Sequence, residues 1–253
     1  MSTQTSAEPG QRIAQLEAEL AAVRAEMQDF TYTVSHDLRA SLRHILSYAQ
    51  LVQEDAAPLL PAETRGFLDT ISDSARHMGV LMDGLMELSR LGSAALHMQP
   101  LSLQAVVADV VAELQHKHPG RCVDWLQQAD MPLVLADAAL LRAAVLAVLD
   151  NALKFTAQQP QGHISISARL EPTQPGQVRL QVQDNGAGFN PALQSRLFKP
   201  FSRLHTVKQF PGIGMGLALT RKMLERMGGQ VHAEGVLNAG CTVCLYLPEA
   251  QPA

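Results

Sequence analysis

The chain has 253 residues, 47% of them hydrophobic, and a formal net charge of −4. This length allows one large domain or two small ones with a sizeable core, and the slightly acidic balance lacks the electrostatic signature of a nucleic-acid-binding protein. No run of 18 or more apolar residues is present, so we expect no transmembrane span.

The N-terminal segment, residues 1–10, is predicted to be a disordered tail. It has no basic stretch followed by an apolar one, so we expect no secretory signal. The three cysteines, Cys122, Cys241 and Cys244, fit neither a disulfide framework nor a zinc site. Reduced thiols are typical of the cytoplasm, which is the predicted location.

Residues 11–29 are predicted to form a signalling helix that pairs as a coiled coil. Apolar side chains recur there at alternating intervals of three and four residues, which is a heptad pattern. The stripe consists of Ile13, Leu16, Leu20, Val23, Met27, Phe30 and Val34. A helix that packs on its own domain can show the same period, but the narrow, unbroken stripe favours a coiled-coil dimer.

The same helix is predicted to continue through residues 30–52 and to carry an adjacent His-Asp pair, His36 and Asp37. Two successive intervals of four residues follow Val34. Such a stutter locally unwinds a supercoil and is a place where helix rotation can reach a reactive side chain. A single histidine on a helix is most often a solvated surface residue, so the pair alone does not define a site.

A second helix is predicted to return antiparallel after a short linker that contains Pro58 and Pro61. Its stripe again alternates intervals of three and four residues and consists of Phe67, Ile71, Ser74, Met78, Leu81, Leu85 and Leu88. Two helices with matched stripes bury them poorly alone. We therefore expect two copies of this hairpin, residues 30–95, to form a four-helix bundle in a homodimer.

Residues 98–250 are predicted to form a second domain of mixed helices and strands. The expected strands are 122–126, 133–135, 163–170, 177–183, 230–234 and 242–247. The expected helices are 103–117 capped by Ser102, one that is capped by Asp137, and helical pieces at 191–198 and 214–227. Because helices and strands do not alternate as regular βαβ units, the expected class is an α+β sandwich.

Three clusters in this domain suit nucleotide chemistry. The first is Asn151, Lys154 and Phe155 at helical spacings. An amide oxygen can bind Mg²⁺, a lysine can meet phosphate, and an aromatic ring can lie against a base. Taken alone, such a triplet is more often part of the edge of a core.

The second cluster, Asp184 to Gly188, ends a predicted strand. Its carboxylate can accept a hydrogen bond from an exocyclic amine, and its glycines allow a ligand to approach the backbone. The sequence Asp-Asn-Gly is also strong turn chemistry, so alone a plain turn is the simpler interpretation.

The third cluster is Gly212, Gly214 and Gly216, followed by Leu217 at the start of a helix. Free N–H groups at a helix N-terminus suit phosphate. The spacing matches neither the Rossmann nor the Walker pattern, so this cluster alone is a weak signal.

Together and in this order, the clusters resemble a bacterial sensor histidine kinase. SHDLR (35–39) resembles the H box of the HisKA-type dimerisation and phosphoacceptor module. DNALKFT (150–156), DNGAGF (184–189), LFKPF (197–201) and GIGMGLAL (212–219) resemble the N box, first glycine box, F box and second glycine box of the GHKL-type ATPase module, and GCTVCLYLP (240–248) resembles its closing strand. The sequence FSRLH…FPGIGMGLAL is similar to the corresponding stretch of phytochrome-type kinases.

The resemblance implies an all-α helical hairpin, paired as a dimeric four-helix bundle, followed by an α+β two-layer sandwich of GHKL type. It implies an ATP-dependent protein-histidine kinase of a two-component system, with ATP and Mg²⁺ as cofactors. Its phosphate would pass to an aspartate on a response-regulator receiver domain. The stimulus would come from an upstream sensor domain or a sensor protein.

The resemblance also implies residue roles. His36 would be the phosphoacceptor, and Asp37 the base that polarises its imidazole. Asn151 would bind Mg²⁺, Lys154 phosphate and Asp184 the adenine amine. Residues 202–213 would form a mobile lid. The other nucleotide-binding residues implied are Phe155, Gly186, Gly188, Gly212, Gly214, Gly216, Leu217 and Thr242.

Four positions depart from the family pattern. Ser41 stands where proline is usual, and Ala40 where threonine or asparagine is common. Ala147 replaces an asparagine or acidic residue, and Ile213 replaces a polar residue between the glycines. The last two favour an alternative: a degenerate, non-catalytic phosphotransfer or binding scaffold with weak or no ATP use. The intact glycines and Asn151 oppose it, and a GHKL chaperone or repair ATPase would leave the His-Asp helix unexplained.

Overall fold

The computed structural model describes residues 7–56, 58–92 and 95–250. The chain divides into two compact units, Met1–Ser93 and Ala94–Ala253. Among the described residues, no helix combines the length and hydropathy that crossing a membrane requires.

The first unit is a hairpin of two helices, α1 (Ala7–Ala56) and α2 (Ala62–Arg90). Polar pairs bridge the helices along their length, and they show that the helices are antiparallel. Arg39 donates to Asp83 at 2.6 Å and Gln53 to Asp69 at 2.7 Å. The predicted all-α hairpin is therefore confirmed.

Helix α1 begins at Ala7, so the predicted disordered tail is wrong for residues 7–10, and residues 1–6 lie outside the described part of the chain. Pro9 falls in the first helical turn. A backbone N–H there has no acceptor within the helix, so proline costs little at this position. Through residues 29 and 30, where the coiled coil and the phosphoacceptor module were predicted to meet, α1 is continuous.

The predicted apolar stripes are exposed within the single chain. In the α1 stripe the exposed fraction runs from 39% for Val34 to 65% for Met27, and in α2 Phe67 is 59% exposed. The faces that the two helices do bury combine small side chains with two larger ones and contain Ser35, Leu42, Ala49, Ser72, Ala75 and Met86. Among the described residues of the hairpin, large apolar side chains such as Phe30 and Phe67 therefore stay exposed.

The second unit contains two sheets and three α-helices among the described residues. In chain order its elements are β1 (Met98–Ser102), α3 (Leu103–Lys117), β2 (Val123–Gln127), β3 (Leu133–Asp137), α4 (Ala138–Phe155), β4 (Gly162–Leu170), β5 (Gln177–Asp184), a 3-10 helix (Pro191–Arg196), α5 (Gly216–Arg226), β6 (Gln230–Gly235) and β7 (Cys241–Pro248). Strands β1 and β3 pair antiparallel, and the five-stranded sheet has the order β2-β4-β5-β7-β6. Only its β2-β4 pair is parallel.

The core of this unit lies between the helices and one face of the large sheet. Alternate residues of the central strands are buried, such as Ile164 and Ile166 of β4 and Leu180 of β5, because successive side chains in a strand point to opposite faces. Leu141 and Leu149 of α4 are fully buried against them. The unit is thus a two-layer α/β sandwich, as predicted.

Local sequence signals place the helix starts. Ser102 Oγ accepts the Ala105 N–H at 3.2 Å, and Asp137 Oδ1 accepts the N–H groups of Ala139 and Leu140 at 3.0 and 3.1 Å. Both predicted N-caps are therefore confirmed, with each cap satisfying donors that the helix itself cannot. The piece predicted at 191–198 is a 3-10 helix.

Candidate functional site

A cleft of ≈ 370 Å³ lies in the second unit between α4, the loop that follows β5 and the segment that leads into α5. Most of the residues predicted to bind nucleotide line it. These are Asn151, Lys154, Phe155, Asp184, Gly188, Gly212, Gly214, Gly216 and Leu217.

The α4 wall of the cleft carries a half-buried cation. Lys154 Nζ donates to Asn151 Oδ1 at 2.8 Å and lies 4.6 Å from the centroid of the Phe155 ring. Burial lowers the pKa of Lys154; Asp150 raises it, and Arg203 lowers it. A poorly solvated ammonium of this kind gains stability when an anion enters the cleft.

Asp184 is the last residue of β5 and is buried, with 8% of its surface exposed. Its Oδ1 accepts the Gly186 N–H at 2.8 Å. Burial raises the pKa of this carboxyl from 3.8 to about 6, although backbone N–H groups of Gly186 and Cys241 oppose the shift. The carboxylate therefore lacks the solvation that a polar ligand could replace.

The glycines after Asp184 are required by packing. A side chain at Gly186 would place its Cβ 2.6 Å from the Phe155 carbonyl oxygen. Gly188 has a φ of 56°, and a Cβ there would lie 1.9 Å from the Val236 carbonyl oxygen. Gly186 therefore lets the loop pack directly on the end of α4, which sets Asp184 beside Phe155.

The N-terminus of α5 closes another side of the cleft. The helix begins at Gly216, and no side-chain cap from Met215 satisfies its first N–H groups. A Cβ on Gly216 would lie 3.7 Å from Asn151 Nδ2 and 4.0 Å from Ala147 Cβ. Free N–H donors and the positive end of the helix dipole thus face Asn151, which is an arrangement suited to phosphate.

The segment over 202–213 folds onto the cleft through three side chains to which the sequence assigned no role. The His205 ring lies 5.4 Å and the Phe210 ring 4.9 Å from the Phe155 ring. Arg203 donates to the carbonyl oxygens of Phe210 and Gly212. The sequence FSRLH…FPG, which the chain shares with phytochrome-type kinases, is the signal from which these residues could have been predicted.

Thr242 does not lie in this cleft, which corrects its predicted place among the nucleotide-binding residues. Its neighbours in β7, Cys241 and Val243, line the cleft instead. Because alternate residues of a strand face opposite sides of the sheet, Thr242 lies with His232 and Glu234 in an adjoining hollow, which shares Asp184, Phe189 and Cys241 with the cleft.

Ala147 and Ile213 both line the cleft, so two of the four departures from the family pattern place apolar side chains in its wall. Asn151 is the predicted metal ligand. Among the described residues, no group of three or more His, Cys, Asp or Glu side chains could hold a metal ion.

His36 and Asp37 lie in the first unit, on α1. The side chains are 63% and 75% exposed, and His36 Nδ1 is 3.2 Å from Asp37 Oδ1. A carboxylate only accepts hydrogen bonds, so at this contact Nδ1 is the donor. When the imidazole is neutral, this leaves the lone pair on Nε2.

Comparison with known proteins covers both units. The "His Kinase A (phospho-acceptor) domain" family matches residues 26–94, and the "Histidine kinase-, DNA gyrase B-, and HSP90-like ATPase" family matches residues 136–251. The circadian input-output histidine kinase CikA of Synechococcus elongatus is 31% identical over 238 residues, which are 90% of this chain and 31% of that protein. Cyanobacterial phytochrome A of Nostoc sp. is 29% identical over 237 residues, which are 93% of this chain and 30% of that protein.

A solved structure, full-length ShkA in complex with AMPPNP, is similar to both units. It aligns with a TM-score of 0.61 and 30% identity over 89% of this chain and 46% of that one. By contrast, the chain spans less than a third of the length of CikA and of cyanobacterial phytochrome A.

Proposed function

The chain belongs to the sensor histidine kinases, and from this premise we propose that it transfers the γ-phosphoryl group of MgATP to His36 and then to an aspartate on a response-regulator receiver domain. One observation carries the proposal: a buried carboxylate, a half-buried ammonium and a helix N-terminus without a side-chain cap converge on a single cleft. That combination matches the three parts of a nucleotide, namely a base with an exocyclic amine, a polyphosphate and a transferable terminal group.

In this proposal Asp184 accepts a hydrogen bond from the adenine amine, and Phe155 lies against the base. Lys154 and the first N–H groups of α5 hold the phosphates. The cleft contributes position and charge, while the transferred group passes directly from nucleotide to histidine.

A magnesium ion carried by the triphosphate fits this site through one protein oxygen. The Asn151 amide lies beside the α5 N-terminus, with its Nδ2 3.7 Å from where a Cβ on Gly216 would lie, and its Oδ1 accepts a hydrogen bond from Lys154 at 2.8 Å. We propose that Lys154 turns to the phosphates when nucleotide enters, which frees Asn151 Oδ1 for the ion. Bound Mg²⁺ would neutralise phosphate charge, with water and phosphate oxygens completing its shell.

The His-Asp pair supplies the acceptor. Asp37 holds the Nδ1 proton, so the Nε2 lone pair is available to attack phosphorus. The Nε2–P bond forms as the bond from phosphorus to the bridging oxygen of ADP breaks, and ADP leaves. Asp37 stabilises the positive charge that develops on the ring.

A non-catalytic scaffold remains the competing function, because Ala147 and Ile213 line the phosphate end of the cleft with apolar atoms. The test is to incubate the full chain with γ-labelled ATP and Mg²⁺ and to follow acid-labile, protein-bound label. A kinase gains label from ATP alone. A scaffold gains none from ATP and gains label only from a phosphorylated donor protein.

We expect the hydrogen bond between Asp184 and adenine to depend on pH. The folded-state pKa of Asp184 is about 6, so the accepting carboxylate is lost as the pH falls through that value. Adenosine, which has no titrating phosphate, should bind about tenfold more weakly at pH about 5 than at pH about 7. NMR titration measures this dissociation constant, and a constant value across the range would contradict the assignment.

The same carboxyl affects stability in the opposite direction. Between its ordinary pKa of 3.8 and about 6 the folded chain holds a proton that the unfolded chain releases. Asp184 therefore contributes more stability to the nucleotide-free protein as the pH falls through this window.

The substitution Ala147→Asn should tighten MgATP binding by about tenfold, because it adds an amide one turn before Asn151 at the phosphate end of the cleft. Affinity without Mg²⁺ should change little, since the added oxygen serves the ion. Calorimetry with and without Mg²⁺ measures both. Ala143→Asn on the same helix is the matched control, and equal gains with and without the ion would contradict the role.

We also propose that the chain is a homodimer whose interface covers the exposed stripes of the hairpin, with Phe67 59% and Leu85 41% exposed. Sedimentation should show a dimer at micromolar concentration. Phe67→Glu should shift the full chain towards monomer, because a buried charge without a partner is costly. Leu59→Glu, at a position 84% exposed in the loop, should not. A monomeric wild type would contradict this proposal.

The proposed partners are therefore a second copy of the chain, a response-regulator receiver domain, and an upstream sensor domain or sensor protein. Because ATP and receiver domains are cytoplasmic, we propose the cytoplasm as the location. The described cysteines, Cys122, Cys241 and Cys244, are all free thiols, in keeping with a reducing compartment.

A further inference from the structure

The segment above the cleft is tied to the loop that carries Asp184. His205 Nε2 lies 2.8 Å from the Gly188 carbonyl oxygen. A carbonyl oxygen only accepts, so Nε2 carries the hydrogen and donates it. Gly188 is four residues beyond Asp184, and both residues line the cleft.

The same imidazole is part of a cluster of three rings. Its centroid is 5.4 Å from the Phe155 ring and 5.2 Å from the Phe210 ring, and these two phenyl rings are 4.9 Å apart. Phe210 is only 3% exposed. The interplanar angles of 44° to 70° are tilted or edge-on, which are favourable arrangements for aromatic pairs.

The segment is also closed on itself. Arg203 donates to the carbonyl oxygens of Phe210, at 2.7 Å, and Gly212. A Cβ on Gly214 would lie 2.4 Å from the Ser202 carbonyl oxygen, so the two ends of the segment touch. Because its ends meet and Arg203 spans its interior, the segment 203–212 can move as one body, as compact loops do.

We propose that His205 is a positioning residue that fastens this body to the Asp184–Gly188 loop and thereby slows the departure of bound nucleotide. The inference deepens the proposed function and rests on it. Opening the segment breaks the bond from His205 to Gly188 and separates the rings from Phe155. Because Gly188 and Asp184 belong to one loop, the same bond links closure of the segment to the position of the base-binding carboxylate.

Two substitutions separate the hydrogen bond from the ring. His205→Phe keeps a ring but removes the donor, whereas His205→Gln keeps an N–H donor at similar reach but removes the ring. The bond predicts that His205→Phe releases a fluorescent ATP analogue about tenfold faster, with an unchanged association rate. His205→Gln should stay within about threefold of wild type. Val207→Ala, at a 65% exposed position of the same segment, is the matched control.

Release is measured by stopped-flow chase with excess unlabelled ATP, and the melting temperature of each nucleotide-free variant is recorded. Fast release from His205→Phe together with near-normal release from His205→Gln supports the proposed role of the hydrogen bond from His205 to Gly188. Equal release from all proteins overturns it. Equal acceleration in both variants with lowered melting temperatures also overturns it, because that pattern reflects packing alone.

A second readout needs no nucleotide. Lys208 is an exposed residue of the segment, and trypsin cleaves after lysine only in locally opened chain. His205→Phe should be cut at Lys208 several-fold faster than wild type, and His205→Gln should not. If wild type binds no nucleotide, the proposed function fails, but this experiment still tests whether the bond from His205 to Gly188 holds the segment closed. Equal cleavage of both variants and wild type overturns that role of His205.

Discussion

Asp184→Asn should weaken ATP binding by about two orders of magnitude, or about 3 kcal/mol. In the native site, Oδ1 accepts the Gly186 N–H at 2.8 Å and the Cys241 N–H also stabilises the carboxylate, whose two oxygens have enough lone pairs to accept the adenine amine as well. An amide has only one oxygen. If that oxygen keeps the contact with Gly186, an NH₂ group meets the adenine amine, donor against donor. If the amide flips, the same conflict arises at Gly186.

The folded protein should tolerate this substitution. Burial raises the pKa of Asp184 to about 6, so the ionised carboxylate opposes folding at neutral pH, and a neutral amide removes that cost. We expect a melting temperature equal to or above that of wild type together with the loss of binding. Calorimetry and thermal denaturation measure the two effects, and Asp109→Asn on the exposed face of α3 is the control. Unchanged ATP affinity would show that Asp184 does not read the base.

His36→Gln should abolish the formation of acid-labile phosphoprotein and leave ATP affinity unchanged. Glutamine keeps a polar side chain of similar length at this exposed position of α1 but offers no nucleophilic ring nitrogen. The residues that line the cleft all belong to the other unit of the chain, so we expect ATP affinity to be unchanged. Autoradiography of wild type and variant after incubation with γ-labelled ATP measures the loss.

His44→Gln is the matched control for this prediction. His44 is exposed on the same helix, and it should retain full labelling when changed. If the label persists in His36→Gln and disappears in His44→Gln, the acceptor is His44 and the assignment of the His-Asp pair is wrong.

Local signals made much of the second unit predictable. Ser102 and Asp137 cap the helices that follow them, because a side-chain oxygen satisfies N–H groups which no helix can satisfy itself. Asp184 ends a strand where turn residues follow, so its place at a sheet edge could be read from neighbouring residues. Signals of this kind depend on a few consecutive residues and hold whatever the rest of the chain does.

Features that depend on register or on distant contacts were missed. Thr242 was assigned to the cleft, yet its neighbours face it, and a shift of one residue along a strand changes the side of the sheet. Strand β1 contains Pro100, which cannot donate to a ladder, so its pairing with β3 could not be anticipated. The bond from His205 to Gly188 joins residues 17 apart in sequence and has no local signature.

The helical hairpin shows the limit of periodicity. The stripes identified apolar faces correctly, but a period does not say what covers a face. Within one chain, α1 and α2 bury small side chains such as Ser72 and Ala75, while Phe67 stays 59% exposed. Small residues allow close helix approach, and we propose that the larger, exposed ones pack against a second copy of the chain.

The central claim is that this chain moves phosphate from ATP to one histidine, and site-resolved phosphate mapping tests it most directly. The full chain is incubated with γ-labelled ATP and Mg²⁺, the label is tested for acid lability and base stability, and the labelled peptide is identified by mass spectrometry. The account predicts a single phosphate on His36, attached at Nε2 because Asp37 holds Nδ1, and much weaker labelling of Asp184→Asn at an ATP concentration that just saturates wild type. Label on any other residue, or no label on protein that demonstrably binds MgATP, would contradict it.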